Sequence, residues 1–92
     1  MVVGVHRLEI YLPENHSLKG KRSVLRSIKS RVRDKFNVSI AESDDHDLWQ
    51  RAVLGVSQVG ADQPHVDACL RAVTWDSIAV VADQRDTVEP GK

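Results

Sequence analysis

Five cations early in the chain fall at spacings that place them on one side of a helix. Lys19, Arg22, Arg26, Lys29 and Arg33 follow one another at intervals of three, four, three and four residues. At 100° per residue they occupy a band about 80° wide and run about 20 Å along the axis. Such a row suits a phosphate backbone, where each contact releases counterions and adds affinity without reading sequence. Lys21, Arg31 and Lys35 add to the field, and within the helix only Asp34 opposes it. Solvated helix faces ordinarily mix both signs, and this one does not. The residues expected at nucleic acid are Lys19, Lys21, Arg22, Arg26, Lys29 and Arg33, with Arg51 contributing from a strand. The rival partner is an acidic protein surface. The stretch Glu42-Ser43-Asp44-Asp45-His46-Asp47 supplies one, so helix-to-loop pairing between two copies competes with RNA.

Other residues offer less chemistry. The carboxylates of 42–47 invite a hard cation, but their spacing is not an EF-hand pattern and turn formation explains the same residues. His6, His16, His46 and His65 are scattered. His6 shares the core parity of its strand and is expected to be partly buried or hydrogen-bonded. His16 flanks a helix entry, where an anion is favoured. Cys69 falls on an apolar helix face and reads as a small core residue. It is the only cysteine, so no internal disulfide forms and a cytoplasmic home is expected. No nucleophile–base pair can be named. The expectation is a protein that is not an enzyme and needs no cofactor or metal.

The elements that must position these residues follow from periodicity. The 92 residues fit one domain, taken as 1–83 with a polar tail at 84–92. The net charge is zero but unevenly spread. Residues 1–36 hold nine basic and three acidic side chains, and residues 37–92 hold four basic and ten acidic. That asymmetry suggests a one-sided electrostatic surface. No signal peptide is read at the N-terminus and no apolar run spans a membrane.

Residues 2–12 alternate and predict a strand. Ser17 caps a helix over 17–36, with Leu18, Val24, Leu25, Ile28, Val32 and Phe36 as its apolar stripe. Strands are predicted at 37–42 and about 48–59, joined by the polar loop as an antiparallel hairpin. Asp62 and Pro64 begin a second helix with Val66, Cys69, Leu70 and Val73 on its apolar face. Ile78 to Ala82 reads as a last strand. The order β-α-β-β-α-β predicts an α+β, ferredoxin-like split β-α-β domain. It would have a four-stranded antiparallel sheet with both helices on one face. The open face would display Val3, Val5, Tyr11, Ser39, Ala41, Trp49, Arg51 and Val53. Only two of these are aromatic and no RNP motif is present, so base stacking there is weakly supported. An apolar open face fits a protein interface better, and Val3, Val5, Tyr11, Trp49 and Val53 are its candidates for a homodimer.

Four segments carry a family resemblance. They are Val3-Gly4-Val5, Ser17-Leu18-Lys19-Gly20-Lys21-Arg22, Phe36-Asn37-Val38-Ser39-Ile40-Ala41-Glu42 and Leu48-Trp49-Gln50-Arg51-Ala52. Together they resemble the YlxP-like family, small bacterial proteins of unknown function, over roughly residues 1–73. The resemblance implies a ferredoxin-like fold and a connection to RNA or the ribosome, since some members carry a ribosome-binding-factor-like name. It implies no established activity. Gly20 departs from the family, where an acidic residue is usual, and the segment after Val73 is shortened and irregular.

Overall fold

The structure, a computed structural model, describes residues 1–12, 17–43 and 50–88, with side chains described as far as residue 82. Strand β1 (Val2–Tyr11) leads to helix α1 (Leu18–Lys35), then strands β2 (Ser39–Glu42) and β3 (Arg51–Gly60), and helix α2 (Gln63–Val88). The sheet order is β1-β3-β2. Both outer strands pair antiparallel with β3, with Val5 opposite Ser57, Leu8 opposite Leu54, and Ile40 opposite Val56. The architecture is α+β, with two helices and a three-stranded antiparallel sheet.

Period-two alternation sends the even-numbered strand residues to the helical side. Leu8, Ile10, Ile40, Ala52, Leu54 and Val56 there join Val24, Leu25, Ile28 and Val32 of α1 and Val66, Leu70, Val73 and Val80 of α2 in one core. Helix α1 starts where Ser17, in extended backbone, accepts the Gly20 N–H on its hydroxyl at 3.0 Å. Helix α2 starts where the Asp62 carboxylate accepts the His65 N–H at 2.9 Å. Val66 sits in a notch that two glycines leave open. A Cβ on Gly4 would lie 2.4 Å from the Val66 Cγ1, and one on Gly60 would lie 2.6 Å from its Cγ2. These two positions must lack a side chain for α2 to close on the sheet.

The predicted last strand is corrected. Residues 78–82 continue α2, and the four-stranded, ferredoxin-like sheet is not formed among the described residues. The buried stripe of α2 runs Val66, Leu70, Val73, Ser77, Val80, an unbroken helical spacing. Ser77 conceals it, because a polar residue occupies a core position. Its hydroxyl is satisfied locally, donating to the Val73 carbonyl at 2.8 Å. Ile78 and Ala82 are exposed flanks of that helix, not one face of a strand.

Candidate nucleic-acid interface

The α1 core stripe decides which of its cations reach solvent. Val24, Leu25, Ile28 and Val32 are buried, and Lys21 lies three, four and seven residues from the first three. That spacing puts Lys21 on the core side, where it is 2% exposed. Its Nζ is 4.0 Å from the Glu42 Oε2 at the end of β2. A lysine taken out of water needs such a counter-charge. Lys21 is therefore not a phosphate contact, which corrects the expectation. The signal was present in its i+3, i+4 and i+7 relation to three apolar residues.

Two further cations are committed to α2. Arg31 Nε and Lys35 Nζ donate to the two oxygens of the Asp76 carboxylate at 3.0 and 2.8 Å. Burial pushes the Asp76 carboxyl up, but the hydrogen bonds from Lys35 and Arg31 outweigh it and hold the group below its ordinary value. No local pattern could have revealed this clamp, because its partners are 41 and 45 residues apart. Arg33 remains exposed but donates to the Ile40 carbonyl at 3.0 Å, tying α1 to β2.

What remains is a shorter row than the sequence suggests. Lys19, Arg22 and Arg26 are exposed and Lys29 is half-buried. Among the described residues none of these four takes part in an ion pair. The helix thus sorts its cations into one in the core, two in the helix–helix clamp, one tied to β2, and four facing solvent together. Uncompensated charge on one face is an electrostatic footprint suited to a polyanion.

Arg51 lies on the opposite, helix-free side of the sheet and does not extend this row. There it donates to Glu9 at 3.1 Å, and Arg7 pairs with the same carboxylate. Hydrogen bonding from Arg7, then the nearby charge of Arg51, holds the Glu9 carboxyl below its ordinary value. On the same face Val3, Val5 and Tyr11 are exposed, as their parity predicts, and Ser39 and Ala41 join them. Val59 is exposed there too and was not anticipated. Val53 is the exception. It shares the parity but is 0% exposed, so it is an interior residue and not an interface candidate. Trp49, His16 and the acidic residues 44–47 lie outside the described residues. His6 is half-buried with its Nδ1 3.4 Å from the Thr74 hydroxyl. The Cys69 sulfur accepts from the Gln58 amide at 3.1 Å inside the fold.

Residues 3–89 match the family model described as "Protein of unknown function (DUF503)". The chain belongs to the DUF503 family. It is similar to the uncharacterized protein YlxP of Bacillus subtilis (strain 168), with 38% identity over 72 residues, which cover 78% of each chain. The YlxP-like resemblance of the motifs is thereby established. The DUF503 match spans the cationic helix, β2, β3, α2 and all of β1 but Val2. Neither the DUF503 description nor the relative's name states a ligand. Among the described residues, no helix is long and apolar enough to cross a membrane.

Proposed function

We propose that this DUF503 protein is a non-enzymatic RNA-binding module that seats phosphate groups along the solvent face of α1. The observation that carries the reading is the row Lys19, Arg22, Arg26 and Lys29, which faces solvent with no acidic partner among the described residues. Phosphates bound there contribute affinity and leave sequence unread. The likeness to YlxP directs the proposal toward ribosomal RNA in the cytoplasm, through the ribosome connection that the family resemblance implies. The test is equilibrium binding of ribosomal RNA to wild type and to Arg22→Glu/Arg26→Glu. At least about tenfold weaker binding across unrelated RNA sequences is expected. Unchanged affinity refutes the reading.

A second reading is self-association through the helix-free face of the sheet. The exposure of Val3, Val5, Tyr11 and Val59 on that face favours it.

A further inference from the structure

The outer edge of β1 offers a more specific surface than the sheet face. Leu12 donates its N–H to the Gln50 carbonyl at 2.8 Å, in register with the β1–β3 ladder. Even-numbered residues of β1 therefore turn their main-chain groups toward β3, and odd-numbered residues turn theirs outward. Val3, Val5, Arg7, Glu9 and Tyr11 present N–H and C=O groups to an edge that no strand covers among the described residues. This edge strand is 10 residues long. It carries no proline and no lysine, the residues that usually blunt a free edge. Beneath it runs a groove of about 290 Å³ between β1 and α2, walled by Leu8, Ile10, Thr74, Ile78 and Val81.

We infer that the occupant of this edge is β1 of a second copy, paired antiparallel about a two-fold axis at Leu8. Charge complementarity selects both occupant and register. The only charged residues of β1 are Arg7 and Glu9. An axis at Leu8 sets each Arg7 opposite Glu9 of the second copy, twice, and sets Val5 opposite Tyr11. An axis at Arg7 or at Glu9 places like charges face to face. An axis at His6 leaves both charges opposite valines. With the axis at Leu8, residues 5, 7, 9 and 11 of both copies form about eight main-chain hydrogen bonds.

The helices agree with this geometry. Helix α2 packs against both β1 and β3, so it straddles the two strands. Strands about 4.8 Å apart then place the two α2 helices about 10 Å apart across the axis. That is a normal helix-packing distance. The side chains at that contact would be Thr74, Ile78, Val81 and Ala82. Ile78 is 52% exposed in the single chain, and the second copy would cover it. The result is one continuous six-stranded sheet. This inference stands apart from RNA binding, since the α1 row lies on another flank.

The test is a charge-exchange experiment followed by sedimentation velocity, with circular dichroism to check folding. Wild type is expected to dimerise at concentrations up to millimolar. Arg7→Glu alone and Glu9→Arg alone each set like charges opposite in the dimer, and each should weaken it at least about tenfold. Mixing those two single variants restores both opposite-charge pairs, and a mixed dimer of near wild-type affinity should form. The double exchange Arg7→Glu/Glu9→Arg should also dimerise like wild type. A monomeric wild type overturns the inference. So does a dimer indifferent to the single reversals, which would point to packing through the sheet face. Single variants that stay monomeric when mixed overturn it as well.

Discussion

The salt dependence of RNA binding separates four phosphate contacts from seven. Counting every cation that the sequence places at nucleic acid gives seven: Lys19, Lys21, Arg22, Arg26, Lys29, Arg33 and Arg51. The fold removes three of them. Lys21 is in the core, Arg33 is tied to β2, and Arg51 sits across the sheet with Glu9. For a single-stranded RNA each contact adds about −0.7 to the slope of log K against log salt, so four contacts give about −3 and seven about −5. Between 50 and 200 mM salt, that is a loss of about 50-fold against about 900-fold. The assay is fluorescence anisotropy of a labelled oligouridylate titrated at several potassium chloride concentrations. Arg22→Gln/Arg26→Gln should lower the slope to about −1.4. Lys21→Met should leave it near −3, and so should Arg31→Gln, because neither side chain is free for phosphate. A wild-type slope near −5, or a slope that the Arg22/Arg26 double variant leaves unchanged, would refute the assignment.

Three further outcomes test the scaffold beneath this face. Gly4→Ala drives a methyl into Val66, whose branched side chain cannot swing away, and should cost about 1–3 kcal/mol. Thermal unfolding should fall by about 4–8 °C for each kcal/mol. Adding Val66→Ala should recover part of the loss, and strict additivity in the double-mutant cycle would show that the two residues do not meet. Asp76→Asn should destabilise the chain by about 1–2 kcal/mol near neutral pH, a figure discounted because Arg31 and Lys35 are about half exposed. The folded Asp76 carboxyl is held below its ordinary value, so the native state binds fewer protons there and stability rises with pH. The advantage over Asp76→Asn is complete above the ordinary carboxylate pKa of about 4 and is lost as pH falls below it. Urea titrations that show the gap widening on acidification would contradict the clamp. Val53→Glu buries a carboxyl at a fully enclosed position and should lower the urea midpoint strongly, whatever it does to self-association. An unaltered midpoint would return Val53 to the surface.

Periodicity carried much of this protein. Alternation over residues 2–11, the Ser17 cap and the stripe from Val24 to Val32 are local patterns, and the chain folds locally as they direct. The parity of β1 correctly exposes Val3, Val5 and Tyr11, because side chains alternate faces whatever lies further along the chain. The cationic row is equally local, since 3.6 residues per turn places Lys19, Arg22, Arg26 and Lys29 together.

What tertiary structure decided is how each of those charges is used. Lys21 and Arg22 are neighbours in sequence, yet one is enclosed beside Glu42 and the other faces solvent. Arg31 and Lys35 read as part of one field until Asp76 arrives from a helix more than 40 residues away. The same holds for the end of the fold. An apolar run at 78–82 satisfies a strand or a helix flank equally well, and only a buried Ser77 that bonds its own helix settles which. Helical continuation leaves the outer edge of β1 uncovered by any strand among the described residues. A chain's local pattern records its backbone period, whereas partners brought together by folding determine which polar groups are consumed and which are left to bind.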